Sequence, residues 1–135
     1  MSHSILIVDD SETIRRLVRS CIERRTDWKV CGEAENGVAA VARVKELHPD
    51  VVILDFHMPE MNGLEAARQI ARLAPNTAMV MFTMYDGGQL RELAQSTGIR
   101  EIISKSDRFA EHLIPALKNA LESQPPLSNK QRSAT

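Results

Sequence analysis

Ile5-Leu6-Ile7-Val8-Asp9-Asp10 and Val51-Val52-Ile53-Leu54-Asp55 are built alike, an apolar run closed by carboxylate. Two further runs share the design: Met79-Val80-Met81-Phe82 ends on Thr83, and Ile99 to Ile103, which includes Arg100 and Glu101, leads through Ser104 to Lys105. Short apolar runs alternating with helix-period segments predict buried parallel strands of an open α/β sheet, since a strand covered on both faces has no polar side. In such sheets ligands bind beyond the carboxyl ends of the strands, near the switch in strand order. Asp9, Asp10, Asp55, Thr83 and Lys105 are therefore expected to meet at one edge, although nearly a hundred residues separate the first from the last.

The segments between the runs supply the helices. Ile14, Leu17, Val18, Cys21 and Ile22 recur on one helix face, with Arg15, Arg16, Arg19 and Glu23 outward and Ser11 as cap. Trp28 to Ala34 reads as a weaker second strand, and Asn36-Gly37 opens an Ala/Val-rich helix to about Leu47. Pro49 breaks the chain before the third strand. Pro59 and Gly63 bracket a turn, and Leu64 to Leu73 reads as the next helix. Gly87-Gly88 leads into a short helix around Leu90, Leu93 and Ala94. Ser106-Asp107 can cap a last helix whose apolar side carries Phe109, Leu113, Leu117, Ala120 and Leu121. Pro115 lies within it and predicts a kink or a late start of regular helix. Five strand–helix units in this rhythm argue a doubly wound, five-stranded parallel sheet. One domain is expected over residues 1–123, and 124–135, rich in Pro, Ser, Lys and Gln, as a flexible tail or truncated linker.

Composition narrows the function. A chain of 135 residues with 43% apolar and 26% charged side chains suits one ordinary globular domain. A formal charge of −1 provides no global attraction to nucleic acid or to an anionic membrane. There is no apolar stretch long enough to span a bilayer and no signal-peptide pattern at the N-terminus, so a cytoplasmic location is expected. Cys21 and Cys31 make no metal or redox motif and are expected to be small buried residues. The four histidines are dispersed, which argues against zinc.

Three gathered carboxylates repel one another. At about 5 Å and an effective dielectric near 20, each pair costs roughly 3 kcal/mol before screening. Lys105 can supply one compensating charge and a hard divalent cation the other; Mg²⁺ suits one or two carboxylates, waters and a phosphate oxygen. Beside such an ion an aspartate can attack phosphorus and become an aspartyl phosphate, while an ammonium and a threonine hydroxyl take up charge on the phosphoryl oxygens. No GxxxxGK[ST] loop is present to hold a nucleotide donor.

Ile-Val-Asp9-Asp10, Leu-Asp55-Phe-His-Met-Pro59-Glu-Met-Asn-Gly63, Phe-Thr83 and Ser-Lys105-Ser together resemble the receiver domain of two-component response regulators, over residues 4 to about 122. That resemblance implies a flavodoxin-like (βα)5 fold with strand order 2-1-3-4-5. It implies that Asp55 accepts a phosphoryl group from a histidine kinase or phosphotransfer protein. Asp10 would bind Mg²⁺ directly, Asp9 chiefly through water, Asp55 from its own carboxylate, and the His57 backbone carbonyl would complete the protein ligands. Thr83 and Lys105 would contact the phosphoryl group. The output partner, or fused output domain, is left unnamed, and partners can include a second phosphorylated copy. By the same resemblance the chain is no enzyme beyond its own phosphotransfer and dephosphorylation. The Gly32-Glu33-Ala34, Asn36-Gly37 and Lys-Ser-Asp stretches are similar to receivers that precede LuxR-type helix-turn-helix domains, so a receiver fragment of a DNA-binding regulator is the alternative reading.

Ile102 stands where receivers usually carry Tyr or Phe, and Met84 where a small residue is usual. The usual aromatic switch is thus missing. His57 and Tyr85 are both large and are expected to restrict the water that would hydrolyse the phosphoryl group. Two other classes compete. A haloacid-dehalogenase-type phosphohydrolase would show DxDx[TV] after the first strand, and here Ser11 occupies the second Asp position. An inert α/β adaptor would carry the same fold with a degenerate site.

Overall fold

The computed structural model describes residues 3–58, 60–84, 87–106 and 108–122. Pro59, Tyr85, Asp107 and the expected tail therefore lie outside the described residues. The elements alternate without exception: β1 (Ser4–Val8), α1 (Glu12–Arg25), β2 (Lys29–Ala34), α2 (Gly37–Leu47), β3 (Val51–Asp55), α3 (Gly63–Leu73), β4 (Ala78–Thr83), α4 (Gly88–Thr97), β5 (Glu101–Ser104) and α5 (Phe109–Glu122). All neighbouring strands pair in parallel, and the sheet order is β2-β1-β3-β4-β5. The chain reverses direction across the sheet between β1 and β3, as the doubly wound reading requires.

The period-2 geometry of the strands sorts their apolar residues into two layers. Leu6, Val8, Val52, Leu54, Met79 and Met81 face α2, α3 and α4. Ile5, Ile7, Val51, Ile53, Val80 and Phe82 face α1 and α5, against Val18, Ile22, Leu113 and Leu117. Burying each of these large side chains stabilises the fold by about 1.5–3 kcal/mol. Both faces of β1, β3 and β4 are filled, which is why their sequences are unbroken apolar runs.

Side-chain caps place the helix starts. Ser11 Oγ accepts from the Ile14 N–H at 3.2 Å, Asn36 Oδ1 from the Ala39 N–H at 2.7 Å, and Asn62 Oδ1 from the Glu65 N–H at 2.9 Å. Ser106 Oγ accepts from the Arg108 N–H at 3.3 Å.

Four sequence expectations change. Leu17 and Leu93 belong to the apolar stripes of their helices yet are 49% and 48% exposed, so each stripe is wider than the arc the sheet covers. Cys31 is only half-buried, because β2 is an edge strand. Arg15 and Arg19 do not simply face solvent: both turn onto Glu33 of β2. Finally, α5 is helical from Phe109 with Pro115 inside it, so there is no late start. The first turn tightens instead, with Phe109 N–H on Ser106 O and Glu111 N–H on Arg108 O.

Glu33 accepts from Arg15 Nε at 2.8 Å and from Arg19 Nε and Nη2 at 2.9 and 2.8 Å. Partial burial pushes its carboxyl upward, but the Arg19 and Arg15 hydrogen bonds outweigh this and hold it below the usual range.

Candidate functional site

Each candidate residue sits at the carboxyl end of a strand because the strand's apolar run stops there. Asp9 and Asp10 follow β1, Asp55 and Thr83 are the last residues of β3 and β4, and Lys105 follows β5. Asp9, Asp55 and Thr83 are buried, at 2%, 4% and 0% exposure, while Asp10 is exposed. One carboxylate oxygen from each of Asp9, Asp10 and Asp55 lies within 4.8 Å of the others.

Lys105 closes the site from the far strand. Its main-chain N–H donates to Thr83 O at 2.8 Å, fixing the stem. Its ammonium lies 2.8 Å from Asp9 Oδ2 and 3.1 Å from Asp55 Oδ1, and 5.5 Å above the Phe82 ring. Phe82 in turn stacks at a tilt on Phe109, ring centroids 5.5 Å apart.

The electrostatics show an excess of negative charge. Burial and then the neighbouring Asp9 push the Asp55 carboxyl above the usual carboxylate range, and the Lys105 contact only partly offsets them. Burial would lower the Lys105 ammonium, but the contacts to Asp9 and Asp55 more than reverse that, so it stays firmly protonated. Three carboxylates share one ammonium, which leaves two negative charges uncompensated. Asp9 Oδ1 accepts the Ser11 N–H at 2.9 Å. Asp9 Oδ2 has the Lys105 ammonium 2.8 Å away as an ion pair, but it is a buried oxygen without a well-aligned hydrogen bond among the described residues. An all-oxygen acidic cluster, two charges in excess, with such an oxygen inside it, fits a hard divalent cation.

His57 contributes differently. Its imidazole is outside the acidic group, exposed, and stands edge-on to Phe56 with ring centroids 4.6 Å apart. Its main-chain N–H lies near the Asp55 carboxylate and pulls that carboxyl slightly downward. Ile102 is half-buried on the α4 side of the sheet, and Met84 is 74% exposed.

Sequence reasoning missed Arg15, whose Nη1 donates to the Asp9 backbone carbonyl at 2.7 Å. Its proximity to Asp9 and Asp10 at the start of α1 was the only available signal. It also missed the Phe82 ring beneath the ammonium, which reads as one more core residue.

With this geometry in view, comparison with known proteins is decisive. The response regulator receiver domain family matches residues 5–117. The chain belongs to that family. It is a phosphorylation-controlled signalling receiver. The chemotaxis protein CheY of Thermotoga maritima is 35% identical over 105 residues, covering 78% of this chain and 87% of that protein. A protein-glutamate methylesterase/protein-glutamine glutaminase of Alkalilimnicola ehrlichii is 42% identical over 108 residues, 78% of this chain. This chain matches only 27% of that enzyme's length. The crystal structure of a LuxR-family two-component response regulator from an Aurantimonas species superposes with a TM-score of 0.85 at 30% identity, covering 93% of this chain and 91% of that one. Receivers of this family bind Mg²⁺ at an acidic pocket, and this chain has the corresponding aspartate cluster. No helix among the described residues is long and apolar enough to cross a membrane.

Proposed function

We propose that Asp55 receives a phosphoryl group from a histidine kinase or phosphotransfer protein in a Mg²⁺-dependent reaction, and that the resulting conformational change controls an output partner. The observation that carries this reading is a buried Asp55 carboxylate 3.1 Å from the Lys105 ammonium, beside Asp9 and Asp10. An Asp55 oxygen attacks phosphorus, and the bond from phosphorus to the donor's imidazole nitrogen breaks with its electron pair leaving on the ring. Asp9, Asp10 and Asp55, with the His57 carbonyl, would hold Mg²⁺. When bound, the ion draws charge off the phosphoryl oxygens as a Lewis acid. Lys105 leaves Asp55 for a phosphoryl oxygen, and Thr83 donates its hydroxyl to another. The chain acts in the cytoplasm over a domain spanning 1–123 and catalyses only its own phosphorylation and dephosphorylation. The LuxR-family likeness supports a second reading, a receiver portion of a longer DNA-binding regulator. Incubation with acetyl phosphate and Mg²⁺, borohydride reduction and peptide mass spectrometry tests the proposal. Modification at Asp55 supports it; an unmodified Asp55 under conditions that label a control receiver refutes it.

Mg²⁺ should stabilise the fold, because it binds only the assembled cluster. At ten times its Kd the gain is about 1.4 kcal/mol, a few degrees in the melt. Asp10→Asn should reduce this gain more than Asp9→Asn, since Asp10 is the direct ligand. Equal gains in wild type and both variants would remove the assignment.

Activation should proceed without an aromatic swing. Thr83 is buried at the end of β4, and the segment after it begins with exposed Met84. Movement of Thr83 toward the phosphoryl group pulls on residues 83–97, and Ile102 fills the space beside α4. Hydrogen exchange with and without beryllofluoride should change most in residues 83–97. Changes confined to residues 36–47 would contradict this.

The phosphoryl group should be long-lived, because His57 and Tyr85, at the two positions that control water access in the family pattern, are both large. His57→Ala and Tyr85→Ala should both speed the decay of phosphorylated protein. Slower decay in His57→Ala would show that the histidine assists hydrolysis instead.

A further inference from the structure

We infer that Arg15 is a positioning residue for the Asp9–Asp10 pair: its guanidinium, clamped by Glu33, holds the peptide plane that sets where the Asp10 carboxylate stands. The inference rests on the reading of Asp9 and Asp10 as Mg²⁺-binding carboxylates.

Arg15 is drawn inward, with only 16% of its side chain exposed. One edge of the guanidinium, Nε, donates to Glu33 Oε1 at 2.8 Å, and Nη1 donates to the Asp9 carbonyl at 2.7 Å. A planar guanidinium has no freedom to keep both bonds in any other orientation. Glu33 is itself immobilised. Its backbone is held in β2 opposite Ile7 of β1, and Arg15 uses Oε1, whereas Arg19 takes only the other oxygen. The anchor for Arg15 is therefore the sheet, not a mobile side chain.

Asp9 is then fixed at successive points. Its N–H donates to Ala34 O at 3.0 Å, its Oδ1 accepts from Ser11 N–H at 2.9 Å, and its carbonyl accepts from Arg15. Asp10 is different: it is exposed and, among the described residues, has no hydrogen bond or ion pair of its own. Its place is set by the backbone that carries it. The Asp9 carbonyl and the Asp10 N–H belong to one rigid peptide plane. Holding the carbonyl stops that plane from rotating, and so aims the Asp10 Cα and its carboxylate toward Asp9 and Asp55. Without Arg15 the plane is free to turn, and the repulsion among three carboxylates drives Asp10 outward.

Arg19 offers an internal control. It shares Glu33 and is partly buried, but it reaches no atom of Asp9 or Asp10. A general loss of α1–β2 packing would follow from removing either arginine; a loss of metal binding should follow from removing Arg15 alone.

The experiment titrates Mg²⁺ into the full chain and follows amide shifts of residues 9–11 and 55–57, with metal-free denaturant melts alongside. It compares wild type, Arg15→Ala, Arg15→Lys, Arg19→Ala and Asp10→Asn. Arg15→Ala should raise the Mg²⁺ Kd about tenfold, as for other residues that orient ligands. Arg15→Lys, which can reach the Asp9 carbonyl or Glu33 but not both, should fall between. Arg19→Ala should keep the wild-type Kd although it also loses stability. If Arg15→Ala does not fold, Arg15→Lys carries the comparison, and a wild-type Kd there overturns the proposal. Equal weakening by Arg15→Ala and Arg19→Ala also overturns it, as does a wild-type Kd in Arg15→Ala beside a loss in Asp10→Asn. A wild-type Kd in Asp10→Asn instead refutes the metal reading itself, and this inference with it.

Discussion

Asp55→Asn should abolish phosphorylation by acetyl phosphate while leaving the fold at least as stable as wild type. The amide has the shape of the carboxylate but no nucleophilic oxygen anion, so the chemical step has no attacking group. Stability should hold for an electrostatic reason. In the metal-free protein burial and Asp9 raise the Asp55 carboxyl above its unfolded value. Between the unfolded and the raised folded value the native state binds more protons, so stability falls as pH rises through that window. Above that window the penalty is fully present. Asparagine removes it. Lys105 does not become an orphan, because Asp9 Oδ2 remains 2.8 Å away. In chelator, the variant should melt at or above the wild-type temperature at pH 7, and the two should converge as the pH is lowered through the Asp55 titration. A markedly lower neutral melt would show that Asp55 is needed by the fold. Lys105→Ala should behave differently, slowing phosphorylation about a hundredfold without abolishing it. It should also uncouple the phosphoryl group from β5, because the ammonium is the only side-chain cation among the described residues that bridges Asp9 and Asp55.

Legibility of this fold in its sequence follows the burial of its strands. β1, β3 and β4 are covered on both faces, so each apolar run is continuous and its end marks a candidate site residue. β2 lies at the sheet edge, where Cys31 and Val30 are only half-buried, and its pattern is accordingly faint. Helix faces were read too widely at Leu17 and Leu93, because periodicity states which direction is apolar but not how much of the arc a flat sheet can reach. The acidic residues and Lys105 were legible because charge at or just beyond the end of a strand needs a reason. Arg15 was not, since an arginine beside Ile14 on an amphipathic helix fits a solvated face equally well. Only the carbonyl of Asp9 and the carboxylate of Glu33, brought together by the β1–β2 pairing, give it a purpose. A sequence pattern records burial along one element. It records little of contacts made across two.

Gly63→Ala should cost about 3 kcal/mol or more of stability, at the upper end of what overpacking a single site costs. Gly63 is the first residue of α3, and its N–H donates to Phe56 O at 2.8 Å, so the helix starts directly against the end of β3. A methyl group there would collide with the Asp55 carbonyl oxygen and stand 2.9 Å from the Phe56 Cα. Both are backbone atoms, which cannot swing aside as a side-chain tip can. Relief requires moving the start of α3 or the end of β3, and the latter carries Asp55. The loss should therefore be double: a lower denaturant midpoint, and weaker Mg²⁺ binding and phosphorylation in whatever fraction folds. Gly88→Ala is the matched control. It too replaces the first residue of a helix, but an added methyl meets nothing within 4 Å. There alanine should stabilise the helix by up to about 1 kcal/mol, because it lowers the backbone entropy lost on folding. If Gly63→Ala unfolds within about 1 kcal/mol of wild type, the end of β3 yields more readily than its packing implies. Asp55 would then be held by its partners across the sheet rather than by the turn that follows it.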